Sequence, residues 1–177
     1  SWQILGLVYN QNNQFEESLE ANKKFVDLDS KNPDAHYNYA NSLKSNGKLK
    51  EAENAYKKAL KLKPDLYGAY NNLANTLREL NKLEEAIIIY RKSIRINPKN
   101  TFNVHNNLGI SLRENGQLNE AVKVLENAIK SGFKEDELYK NYAITLRDLY
   151  RYEESEESYK NALKLNPRAF GIYNDLA

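Results

Sequence analysis

Apolar and aromatic residues recur along the chain in groups whose members lie three, four and seven residues apart. His36, Tyr39, Ala40 and Leu43 form one group, and Tyr70, Leu73, Ala74 and Leu77 the next. His105, Leu108, Gly109 and Leu112 follow, then Tyr139, Tyr142, Ala143 and Leu146. This spacing gathers the residues onto one face of a helix. Behind each group lies a second with the same helical period, such as Ala52, Tyr56 and Ala59 or Ala86, Tyr90 and Ser93. The polar positions between them complete an amphipathic pattern, which predicts paired helices and no strand.

The pairs repeat. Segments starting at His36, Tyr70, His105 and Tyr139 align, with starts 34, 35 and 34 residues apart. Extension gives Trp2 at one end and Tyr173 at the other. With these residues at the fourth position, the chain divides into residues 1–32, 33–66, 67–101, 102–135, 136–169 and 170–177. The first and last repeats are incomplete and the chain has no methionine, so it is expected to be a piece of a longer protein.

Several columns have a physical reading. The eighth position is small throughout (Gly6, Ala40, Ala74, Gly109, Ala143, Ala177), as is the twentieth (Ser18, Ala52, Ala86, Ala121, Ser155). Small residues let two helices approach closely while larger neighbours fill the space around the contact. The fifteenth position reads Asn13, Gly47, Asn81, Gly116 and Tyr150. Gly and Asn tolerate a left-handed backbone at a helix end, so the joint is expected here, strained or reshaped at Tyr150. Glutamate fills the nineteenth position in five repeats, from Glu17 to Glu154, where it meets the positive end of the second helix. Pro64, Pro98 and Pro167 mark the end of that helix. The fourth repeat has Gly132 and Phe133 there, which predicts altered packing angles.

A period of about 34 with this pattern resembles the tetratricopeptide repeat, over the whole chain. The resemblance implies an all-α fold, an α-α superhelix or right-handed solenoid of tandem helix-turn-helix units. In that family the first helix of each pair lines a concave wall. Here that wall would carry Asn38, Asn72, Asn107 and Asn141 at the sixth position and Asn41 and Asn75 at the ninth. Arg78, Arg113 and Arg147 stand at the twelfth. An amide offers donors and an acceptor together, so one per repeat suits an extended peptide backbone. Similar ladders occur in the repeat arm of the nucleocytoplasmic sugar transferase that modifies Ser and Thr. The Arg column could hold carboxylates or form surface ion pairs with the acids at the thirteenth position. A solvated face is the competing reading of the asparagines. The family's carboxylate clamp is not assembled: the second position holds Asp34, Gly68, Asn103, Glu137 and Gly171, and Lys140 is the only lysine at the fifth.

Composition narrows the function. Lys+Arg 26 against Asp+Glu 24 gives no basic excess for nucleic acid. No apolar run suits a membrane span. There is no cysteine, so thiol chemistry and thiolate metal sites are excluded, which fits a cytoplasmic protein. His36 and His105 occupy packing positions, no catalytic motif occurs, and no metal or cofactor is expected. The thirteen tyrosines follow the repeat, with Tyr37 and Tyr67 as exposed exceptions. The expectation is a non-catalytic scaffold for a protein or extended peptide. Two alternatives stand beside it. One is the accessory arm of a larger enzyme, since the opening residues look like bacterial arrays joined to glycosyl-, sulfo- or methyltransferase domains. The other is a self-assembling array joined end to end.

Overall fold

The computed structural model describes residues 1–98 and 102–176, with all their side chains apart from those of Phe170, Asn174 and Leu176. The expected join between the third and fourth repeats at residue 101, and the small residue expected at Ala177, lie outside the described residues. So does the side chain of Leu176.

Helices account for nearly all of the described chain, and no strand occurs among the described residues. They are α1 (Trp2–Gln11), α2 (Phe15–Leu28), α3 (Pro33–Ser45), α4 (Leu49–Leu62), α5 (Tyr67–Glu79) and α6 (Leu83–Ile96), then α7 (Phe102–Glu114), α8 (Leu118–Lys130), α9 (Asp136–Asp148), α10 (Tyr152–Leu165) and α11 (Phe170–Leu176). The chain falls into two compact units, Ser1–Asn97 and Pro98–Ala177. The first holds α1 to α6 and the second α7 to α11. Within each, a helix packs on its successor, and first helices also touch, α1 with α3, α3 with α5, and α7 with α9.

Every hairpin turns through three residues, and the middle one is the fifteenth-position residue. Asn13, Asn81 and Tyr150 have φ near 60°, and Gly47 and Gly116 have φ of 72° and 75°. The turn then closes in the same way each time. The amide after the left-handed residue donates to the carbonyl five residues back: Lys48 to Leu43, Lys82 to Leu77, Gln117 to Leu112 and Arg151 to Leu146. These bonds satisfy carbonyls that a helix end would leave bare. Tyr150 is therefore forced into the turn's geometry and does not reshape it. A left-handed non-glycine residue costs about 1–2 kcal/mol. Tyr150 is 79% exposed and its ring approaches that of Tyr152 edge-on. Tyr150→Gly should raise stability by about 1 kcal/mol. Urea unfolding reads this directly, and a lower midpoint in the variant would contradict it.

Proline ends the second helices as expected. α4, α6 and α10 stop two residues before Pro64, Pro98 and Pro167. Lys63, Asn97 and Asn166 between them have φ from −133° to −137°, since a residue before proline is driven out of the helical region. α8 ends instead through Gly132 at φ 96°, and Phe133 packs on Phe102 and His105.

The core of each hairpin is the contact between the eighth and twentieth positions. Ala40, Ala52, Ala74, Ala86, Ala121 and Ala143 are all fully buried. Where serine replaces alanine at the twentieth position, its hydroxyl finds the eighth-position carbonyl. Ser18 donates to Gly6 and Ser155 to Ala143.

One buried charge links neighbouring repeats. Glu53 on α4 is 5% exposed. Its carboxylate accepts from Lys57, one turn on, at 2.6 Å, and from Lys82, the residue just before α6, at 2.8 and 3.0 Å. Burial alone would raise its pKa, but the two ammonium groups outweigh that and hold it below its ordinary value. A carboxylate with a lowered folded pKa adds stability above its unfolded pKa, and loses that contribution as pH falls through the folded value. Glu53→Gln should cost about 1 kcal/mol at pH 7, because both lysines are half-exposed and regain water. It should also flatten the loss of stability on acidification below about pH 4.5. Parallel slopes for the two proteins in an acid titration would exclude this role.

Candidate functional site

The sixth, ninth and twelfth positions of the first helices make up the candidate face. In the first unit these residues join into a network. Tyr56, fully buried on α4, donates its hydroxyl to Asn41 Oδ1 at 2.6 Å. Asn72 Nδ2 donates to the same Oδ1 at 3.0 Å and to the Tyr37 hydroxyl at 3.2 Å. Tyr90 on α6 repeats the first bond one repeat later, donating to Asn75 Oδ1. Asn41, Asn72, Asn75 and Arg78 are half-exposed. Asn38 is buried at 8% exposure, so its amide is not presented to solvent with the others. Tyr67 is exposed as expected, but Tyr37 is half-buried, its ring 6.1 Å from that of Tyr56.

These bonds leave a defined pair of atoms open. Asn41 Nδ2 and Asn72 Oδ1 have no partner among the described residues and are not enclosed. One is a donor and the other an acceptor. Burial raises the Tyr56 phenol pKa well above its usual value, with Tyr37 adding to the effect, so Tyr56 stays protonated and a donor.

In the second unit, Asn141 Nδ2 donates to Asn106 Oδ1 at 2.9 Å. Asn107 and Asn141 are half-exposed. The ninth position carries Ile110 and Ile144, both half-buried. The twenty-fourth carries Leu125 in one repeat and Tyr159 in the next. Leu125 needs no partner. Tyr159 is 1% exposed and its hydroxyl has none among the described residues, because Ile144 stands where Asn41 and Asn75 stand in the first unit. Burial raises the Tyr159 pKa, and four neighbouring charges act on it, Arg147, Asp175, Asp148 and Arg113.

Three cations of the twelfth position reach across to the next repeat of their own unit. Lys44 meets Glu79 at 2.8 Å, Arg113 meets Asp148 at 3.4 Å and Arg147 meets Asp175 at 3.5 Å. Glu79 and Asp148 are acids of the thirteenth position, each in the repeat after its cation, since residues adjacent in sequence do not face each other on a helix. Arg113 and Arg147 are half-buried.

Two further columns were not legible as functional groups. Ser42, Thr76, Ser111 and Thr145 at the tenth position are buried, and each donates to the carbonyl of the sixth-position residue one turn back. The fourth-position ring tips hold the end of the preceding repeat. His36 Nε2 donates to the Ser30 carbonyl at 2.9 Å and Tyr70 to that of Pro64 at 3.0 Å. Among the described residues no cluster of three or more His, Cys, Asp or Glu could hold a metal ion, and no helix is long and apolar enough to cross a membrane.

Profiles of the tetratricopeptide repeat match residues 1–32 and 137–168, 37–101, and 89–123. No curated protein matches the sequence significantly. Among solved structures, the chain is similar to YrrB, a tetratricopeptide-repeat protein with an unusual peptide-binding site. The TM-score is 0.81 at 19% identity, covering 98% of this chain and 89% of that one. It is similar to MamA from Desulfovibrio magneticus RS-1, with a TM-score of 0.86 at 15% identity over 95% and 94% of the two chains. MamA AMB-1 gives 0.82 at 21%, over 96% and 99%. At these identities the likeness speaks for the fold.

Proposed function

We propose that this chain, which belongs to the tetratricopeptide-repeat family, is a non-catalytic scaffold that holds an extended peptide on the first-helix faces of its repeats. The observation that carries this reading is the open donor and acceptor pair in the first unit. Asn41 Nδ2 and Asn72 Oδ1 can take the C=O and N–H of one peptide backbone, while Tyr56 and Tyr37 fix the other halves of the two amides. Preorganised amides of this kind lose little entropy on binding. The peptide-binding site named for YrrB is in keeping with this use of the fold.

Asn75 and Arg78 extend the face in the first unit, and Asn107, Asn141, Arg113 and Arg147 line its counterpart in the second. The partner is a protein or peptide, not a nucleic acid, given the near balance of charge. The test is a display screen for peptide ligands followed by titration of the best binder. Asn41→Ala with Asn72→Ala should weaken it at least about tenfold, the loss of roughly one backbone hydrogen-bond pair. Equal affinity in the double variant refutes the amide pair.

A second reading, end-to-end association, is favoured by one observation. α1 exposes Ile4, Leu7 and Val8 at 62%, 45% and 43%, beside Trp2 and a cavity of about 440 Å³. Light scattering against concentration separates the readings, and a constant monomer mass refutes this one.

A further inference from the structure

The sequence contains two Asn-Gly pairs, Asn46-Gly47 and Asn115-Gly116. Each asparagine directly follows a first helix, and each glycine is the left-handed residue of the hairpin turn. The two turns are bonded alike along the backbone. Gly47 donates to the Lys44 carbonyl at 2.9 Å and Lys48 to that of Leu43 at 2.9 Å. Gly116 donates to the Arg113 carbonyl at 3.0 Å and Gln117 to that of Leu112 at 2.8 Å.

Their asparagine side chains are held differently. Asn46 Nδ2 donates to the Ser42 carbonyl at 2.8 Å and to the Phe15 carbonyl, at the start of α2, also at 2.8 Å. The second bond ties the amide to the preceding hairpin. The Asn115 side chain has no partner among the described residues, although its backbone amide bonds Ser111 as a helix end should. Asn115 is half-exposed and Gly116 exposed, so water and base reach both.

Asparagine before glycine is chemically labile, because no side chain on the glycine shields its nitrogen. We infer that Asn115 is a site of spontaneous modification, converted to aspartate and isoaspartate by way of a succinimide, while Asn46 is protected by its two anchors. The Gly116 nitrogen attacks Asn115 Cγ and loses its proton to solvent base. The side-chain nitrogen takes a proton from water and leaves as ammonia, which closes the five-membered ring. Water then adds to either ring carbonyl and opens it, giving aspartate or isoaspartate. No electrons are exchanged, and water is the only co-reactant.

In the folded turn the Gly116 N–H is committed to Arg113, so attack requires a local opening, of the kind hairpin ends undergo most readily. At Asn115 the opening breaks backbone bonds alone. At Asn46 it must also release two side-chain bonds, and their loss lowers the reactive population by about tenfold or more. The product carries a new carboxylate beside Glu114 at the negative end of α7, which is unfavourable there. Isoaspartate also lengthens the backbone by one methylene between Asn115 and Gly116, so the bonds from Gly116 and Gln117 cannot both be kept.

The test ages the whole chain in mildly alkaline buffer, folded and in urea, with peptide mapping by mass spectrometry and an isoaspartate assay. In the folded protein Asn115 is expected to convert about tenfold faster than Asn46, and in urea the two rates should converge. Asn115→Gln should remove the early isoaspartate, since the longer side chain forms the ring slowly. Equal rates in the folded protein, faster conversion at Asn46, or an Asn115 that survives folding as well as Asn46 does each overturn the site. A difference that persists in urea also overturns it, because the neighbouring sequence and not the fold would then set the rates. Aged protein, separated by ion exchange, should unfold at a lower urea midpoint, and an unchanged midpoint overturns the loosening of the turn.

Discussion

Gly109→Val should destabilise the chain by about 3 kcal/mol, the upper range for overpacking a well-filled core. A Cβ built on Gly109 would lie 2.5 Å from Leu125 Cδ2 and 2.6 Å from its Cγ. Leu125 is fully buried, so it has no room to retreat, and the added methyls of valine enlarge the clash. The same relation recurs at the start of the chain, where a Cβ on Gly6 would meet the buried Asn22 side chain at 2.5 Å. In the remaining repeats the eighth position is alanine and the twenty-fourth is tyrosine: Ala40 with Tyr56, Ala74 with Tyr90 and Ala143 with Tyr159. All six are buried. Glycine thus goes with a residue branched close to its backbone, and alanine with a flat ring. The pairing makes a compensating change available. Gly109→Ala with Leu125→Tyr and Ile110→Asn rebuilds the set found in the second and third repeats, and should recover most of the stability that Gly109→Ala alone loses. Equilibrium urea unfolding of the series decides it. A triple variant no more stable than Gly109→Ala would show that the pairing is not a packing relation.

Tyr→Phe should have opposite signs at two equivalent positions. Tyr56→Phe removes the hydroxyl that holds Asn41 Oδ1 at 2.6 Å and should cost about 1 kcal/mol. Tyr159→Phe removes a hydroxyl with no described partner and should gain up to about 1 kcal/mol, because an unsatisfied buried polar group carries a desolvation cost. The two rings are alike in burial, so the difference of about 2 kcal/mol isolates the hydrogen bond. Ile144→Asn, which restores an acceptor, should reverse the benefit of Tyr159→Phe when the two are combined. Calorimetric melting gives both signs. A loss at Tyr159 as large as that at Tyr56 would mean that its hydroxyl is bonded in the free protein.

Much of this was legible in the sequence because helix period and repeat period are local properties. The spacing of Tyr70, Leu73, Ala74 and Leu77 is a property of one turn and the next, and the left-handed turn at Asn13, Gly47, Asn81, Gly116 and Tyr150 is dictated by backbone sterics. Glutamate at helix starts and proline after helix ends follow from the dipole and the missing amide. None of these needs a partner distant in the chain. The candidate face was legible as columns of asparagine and arginine, since equivalent residues of stacked repeats share a side.

Tertiary structure decided what those columns do. Asn41 is held by Tyr56 from the second helix of its own repeat and by Asn72 from the next repeat, contacts 15 and 31 residues apart in sequence. Asn38 sits in the same column as Asn72 and is buried. The Arg113 carboxylate partner is Asp148, 35 residues on, and not the adjacent Glu114. Burial and hydrogen bonding depend on which side chain another element brings within about 3 Å. The period sets which residues share a face, while the packing of one helix on the next sets which of their atoms remain open.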